Sequence, residues 1–186
     1  MMLLFLFINR TRQEYYNETR TLQFSAFGGW QMGSNALYGY AHAALDSSLT
    51  VPTKFRDLHR LVNQHMIFLN QFPSFMRPDH NVDIYYLWDF NSPLRVYMND
   101  RWKKDSTTSF FIRWAAMAPL YSDYGRYLIA RHPGPFAQYY LWPNLIKYYA
   151  PPTGFLGYYN LERDTVEQIA VRWFHWENNK VFFAAF

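Results

Sequence analysis

Between Thr53 and Pro73 apolar residues recur at intervals of three and four: Phe55, Leu58, Val62, Met66 and Leu69. That period puts all five on one face of an α-helix, whereas a strand would send neighbouring residues to opposite sides. Thr53 is placed to cap this helix and Pro73 to stop it. The pattern repeats in shorter pieces. Ser92-Pro93 reads as an N-cap followed by a first-turn proline, with Leu94, Tyr97, Met98 and Trp102 facing one way. Ser106 can cap a helix with Phe110, Phe111, Trp114 and Met117 on its apolar side, which Pro119 breaks or kinks. The chain then resumes with Leu120, Tyr124, Tyr127 and Leu128 and ends at His132-Pro133. A last helix starts at a box-like Asp164 and Glu167, with Val166, Ile169, Ala170 and Trp173 on one side. The expected fold is mainly α, an irregular domain of about five to seven helices with long aromatic- and Pro-rich loops. The only strand-like stretch is VDIYYLW. FGGWQMGSNALYGYAHA reads as a loop or turn in which Gly28 and Gly29 allow tight packing, and it is neither a phosphate loop nor a dinucleotide fingerprint.

Two apolar runs flank this core. MMLLFLFI is followed by Arg10, Arg12, Tyr15 and Tyr16, and VFFAAF is preceded by Trp173, Trp176 and Lys180. Cations and amphipathic rings next to apolar runs are what membrane boundaries select. The expectation is therefore three parts: residues 1–10 as the end of a transmembrane helix, 11–178 as a single mainly helical domain, and 179–186 as the start of a second transmembrane helix. Asn9-Arg10-Thr11 and Asn17-Glu18-Thr19 match the glycosylation triplet and tilt the reading toward an extracytoplasmic domain.

Composition limits the functional classes. Aromatic residues reach 22% and charged residues only 17%, which suits a surface half apolar and half wet. The net charge is +4, but the basic residues are dispersed among acids, so the footprint of a nucleic-acid binder is missing. With no cysteine there is no thiolate site or disulfide. No nucleotide loop, zinc spacing or catalytic-triad order is present, and no cofactor is implied. His59 and His65 are six apart, off the spacing of a helical metal pair, and read as core or interfacial residues.

Two segments carry the candidate chemistry. In RPDHNVDIYYLWDFNSPLR, the binding candidates are Asp79, His80, Asp83, Trp88, Asp89 and Arg95: carboxylates can hold sugar hydroxyls while rings stack on apolar sugar faces. Asp79, His80 and Asp83 could alternatively face a cation, but a turn-rich loop explains them without one. The second segment, DYGRYLIARHPGPFAQYYLWPNLIKYY, together with the C-terminal region supplies the membrane-interface candidates Tyr139, Tyr140, Trp142, Lys147, Trp173, Trp176 and Lys180. Within it YLIARHPGPFAQYYL resembles helix-His-Pro-helix segments in extracytoplasmic loops of multi-pass bacterial envelope proteins, lipid-linked sugar transferases among them. The resemblance covers that stretch only and transfers no functional residue. The sequence thus points to a membrane-associated interaction or structural domain of a multi-pass protein, or to the substrate-binding loop domain of a membrane glycosyltransferase or other lipid-linked sugar enzyme. Expected partners are the lipid bilayer, other segments or subunits of a membrane protein, and a glycan or lipid-linked sugar, with no nucleic acid.

Overall fold

A computed structural model describes residues 2–43, 51–80, 82, 84–105, 107–149, 165–166 and 168–180. Among them the chain is mainly helical, with α1 (Met2–Thr19), α2 (Ala26–Tyr40), α3 (Arg56–Leu69), α4 (Tyr85–Trp88), α5 (Pro93–Arg101), α6 (Phe110–Arg131), α7 (Pro133–Phe136), α8 (Trp142–Tyr149) and α9 (Gln168–Phe174). Two compact units are formed, Met1–Pro143 and Asn144–Phe186. The second contains most of α8, all of α9 and an antiparallel bridge between Thr165 and Lys180.

The centre of the first unit is α2, in the stretch expected to be a loop. Ser25 opens it by accepting a hydrogen bond from the Phe27 amide at 3.2 Å. Ten of its fifteen residues are buried, from Ala26 to Tyr40, so nearly its whole circumference meets protein. Two of its glycines, Gly29 and Gly33, serve close approach to α6. A Cβ on Gly29 would overlap the Ala118 carbonyl, 2.6 Å from its carbon, and a Cβ on Gly125 would meet the Met32 carbonyl carbon at 2.6 Å. Helix propensity is sacrificed there for backbone contact.

The two helices expected on either side of Pro119 are one 22-residue helix, α6. Proline removes the donor that would reach the Ala115 carbonyl, and Gln23 supplies a replacement, its side-chain amide donating to that oxygen at 3.0 Å. The neighbouring Trp114 carbonyl accepts from the Trp30 indole at 2.8 Å. Both donors come from the α2 side, so the local lesion in α6 is repaired by the packing partner. Ser109, rather than Ser106, caps this helix, accepting from the Ile112 amide at 3.4 Å. Ser106, Asp164 and Glu167 lie outside the described residues.

Every member of the expected stripe is buried: Phe55 in the 3-10 turn leading into α3, and Leu58, Val62, Met66 and Leu69 on α3 itself. His59 is buried beside them, its Nδ1 2.9 Å from the Tyr124 hydroxyl. The strand-like stretch instead forms the single helical turn α4, which buries Tyr86 and Leu87. Between α7 and α8 lies a π-helical turn, Ala137–Leu141, separated by Trp142 from Pro143, which lacks the amide a regular helix would use there.

The expected membrane spans find no support in α1. It runs unbroken from Met2 to Thr19, crossing the boundary drawn at residue 10, and it is apolar only over its first two turns. No helix among the described residues is long and apolar enough to cross a membrane. The C-terminal run 181–186 lies outside them.

Candidate functional site: an aromatic surface and a buried arginine

The binding candidates separate into three groups. Asp79 is a tie inside the fold. Its carboxylate takes two hydrogen bonds from Arg77, Nε at 2.9 Å and Nη2 at 2.8 Å, and a third from the Tyr86 hydroxyl at 2.6 Å. Burial alone would raise this carboxyl, but the hydrogen bonds from Arg77 and Tyr86 outweigh it and hold its pKa below the ordinary value. A carboxylate 4% exposed and held by three hydrogen bonds serves as a structural tie. His80 is exposed, its amide donating to the Arg77 carbonyl at 3.0 Å. Asp83 lies outside the described residues.

Trp88 and Asp89 end α4 at the surface. The Trp88 ring is 6.0 Å from that of Phe27, and Asp89 accepts from the Asn91 amide at 2.7 Å. Asp89 borders two adjoining clefts. One, of about 440 Å³, is walled by His65, Phe68, Phe72, Met76 and Tyr85; the other adds Ile84, Trp88 and Phe90. The Tyr85 hydroxyl sits 3.1 Å from His65 Nε2. Burial, then the nearby Asp89 and Asp79 charges, push this phenol up to about 12. Burial pushes the His65 imidazole below its ordinary value, although Asp79 and Asp89 pull the other way. Tyr85 is therefore a neutral donor and His65 a neutral base near pH 7.

Arg95 is the third group. It is 8% exposed, and its Nε and Nη1 are buried with no hydrogen-bond partner. Rings surround it, with its guanidinium carbon 4.8 Å from the Phe110 centroid, 5.5 Å from Phe90 and 5.9 Å from Trp30.

The membrane-interface candidates are distributed as follows. Tyr139 stacks on His42 at 3.9 Å, and Tyr140 is half-buried between Phe136 and Tyr38, with centroids at 5.0 and 6.2 Å. Trp142 is exposed and Lys147 half-buried. In the second unit Trp173 is exposed, Trp176 stacks on Phe174 at 5.2 Å and Lys180 pairs with Thr165.

Sequence reasoning missed an exposed aromatic surface among the described residues. Phe7 touches Phe24 at 6.2 Å, Phe27 touches Trp88, and Trp88 borders the clefts lined by Phe68, Phe72, Met76 and Phe90. Most of these side chains are exposed. The available signal was Ile67 and Phe68, two large apolar residues off the buried stripe of α3. Among the described residues no group of three His, Asp or Glu side chains could hold a metal ion.

Compared with protein-family models, curated proteins and solved structures, the chain has no match in any of the three.

Proposed function

We propose that the chain is a membrane-docking helical module whose α1 tip enters the lipid while the aromatic surface beside it rests at headgroup level. The carrying observation is the bare tip: Met2, Leu3, Leu4, Phe5, Leu6 and Phe7 are 55–79% exposed. Six consecutive apolar residues cover more than one turn and so point in every direction, which suits lipid on all sides better than a single protein groove. The apolar end is about 10 Å long, close to the depth to which interfacial segments bury themselves. Polar chemistry resumes at once: Thr11 and Asn9 return hydrogen bonds to the α1 carbonyls at 2.9 and 3.0 Å, and the exposed Arg10 pairs with Glu14 at 2.9 Å. The other half of α1 is anchored to protein, with Tyr15 against Phe111 at 5.8 Å and Thr19 buried.

The test is flotation of the purified chain with phosphatidylcholine–phosphatidylglycerol vesicles. Each Leu or Phe moved from lipid to water gives up roughly 1.5–3 kcal/mol, so Leu4→Glu with Phe7→Glu should lower the partition coefficient by about a hundredfold or more. Unchanged flotation of the double variant would refute the proposal.

A second reading has its own observation. The cleft walled by Phe68, Phe72 and Tyr85 with Asp89 at its edge offers rings and a carboxylate of the kind that hold a lipid-linked sugar at a membrane surface. Binding of a polyprenyl-phosphate sugar that survives Asp89→Ala would remove it.

A further inference from the structure

We infer that Arg95 is the receptor for a phosphate-class oxyanion. An arginine cannot escape burial by losing its proton, so a residue 8% exposed, with its Nε and Nη1 buried and unpartnered, holds a charge that no ion pair among the described residues compensates. Arg95 makes none of the four ion pairs found among the described residues. The three rings around it soften the cost through their faces but supply no hydrogen-bond acceptor.

The local backbone adds to the same imbalance. Arg95 lies in the first turn of α5, where unpaired amides and the helix dipole are already positive, and helical side chains lean toward that end. No acidic residue occupies that turn. Ser92, at the N-cap position, does not cap. Its hydroxyl instead donates to the Tyr86 carbonyl at 2.7 Å. An oxyanion would satisfy the planar fork of the guanidinium and the helix end together.

Trp30 is fully buried, whereas Phe90 and Phe110 are 77% and 50% exposed, so two of the three rings around Arg95 lie at the surface. The oxyanion can come from free phosphate or from a phospholipid headgroup. The second source rests on the membrane-docking proposal, and the first does not.

The experiment is thermal unfolding of the full chain in sodium phosphate against sodium chloride at matched ionic strength, and separately with monomeric dihexanoylphosphatidylglycerol. At least one phosphate-bearing probe should raise the wild-type Tm. Arg95→Met, which replaces an unpaired charge by an apolar chain of similar length, should be no less stable than wild type in chloride. It should bind that probe at least about tenfold more weakly. A response to phosphate would show that a small oxyanion suffices, and a response to the lipid alone would assign the headgroup. An equal response in Arg95→Met, or none to either probe in wild type, would overturn the inference. Should Arg95→Met fail to fold, Arg95→Lys keeps the charge without the fork and must also weaken binding; unchanged affinity there would be equally fatal. A chain that floats with vesicles but ignores both probes would fail here and leave the docking proposal intact; the converse result would do the opposite.

Discussion

Gly28 and Gly29 are neighbours in one helix, and the structure assigns alanine opposite effects at the two positions. A Cβ on Gly28 meets nothing within 4 Å. Replacing a helical glycine by alanine in open space gains roughly 0.5–1 kcal/mol from backbone entropy. At Gly29 the same methyl group would lie 2.6 Å from the Ala118 carbonyl carbon, and the obstacle is backbone that no rotamer change can clear. α2 and α6 would have to separate by about an ångström to restore ordinary contact, since carbon atoms pack at roughly 3.5–4.0 Å. That movement would stretch the 2.8 Å Trp30–Trp114 and 3.0 Å Gln23–Ala115 hydrogen bonds across the same interface. Overpacking and the weakened bonds together should cost roughly 2–4 kcal/mol after the propensity gain is deducted. Thermal unfolding followed by far-ultraviolet circular dichroism reads the difference, at about 2–4 °C per kcal/mol for a chain of this size. Gly28→Ala should raise Tm slightly, while Gly29→Ala should lower it by many degrees. Equal Tm values for the two variants would show that the α2–α6 contact is not as close as described.

Gln23→Ala should cost about 1–3 kcal/mol, because the Ala115 carbonyl left free by Pro119 loses its substitute donor; restoring the missing amide with Pro119→Ala in the same chain should recover most of the loss, as read by urea denaturation. Burial lowers the pKa values of His42, His59, His65 and His132 from the ordinary 6.5. Folded values below unfolded ones mean that their stabilising contribution is complete above pH 6.5 and is lost as pH falls through the folded values, because the unfolded chain then binds more protons. Tm at constant ionic strength should therefore drop between pH 7.5 and 5.5, led by the buried His59, and a flat profile would contradict the neutral state of these rings.

The helical class of the fold was legible because α3 follows its period without interruption: Phe55, Leu58, Val62, Met66 and Leu69 all reach the core. α2 was not legible, since Gly28, Gly29, Gly33 and Gly39 lower helix propensity, and what outweighs that loss is the close approach of α6 at Gly29 and Gly33 and of Phe136 at Gly39, a tertiary fact. The inner face of α6 was read only in part: Met117, Tyr124 and Leu128 are buried as expected. Phe110 and Phe111 drew attention by size and are exposed, while Ala115, Ala118 and Gly125 face inward because small residues let the helices meet. Of the candidate site, Asp79 and Arg95 were singled out as residue types, but their roles depend on partners. Asp79 has Arg77 two residues away and Tyr86 seven away, while the lack of an ion pair at Arg95 among the described residues emerges only when the chain is folded.

The chain contains no cysteine, so a single Leu4→Cys or Asn17→Cys substitution on α1 gives a unique position for a nitroxide label. Power-saturation electron paramagnetic resonance with vesicles present then measures depth directly. At residue 4 the label should be relaxed by oxygen and shielded from a water-soluble nickel complex, and at residue 17 the reverse should hold. Equal nickel accessibility at both positions, in vesicles that retain the protein, would contradict insertion of the α1 tip.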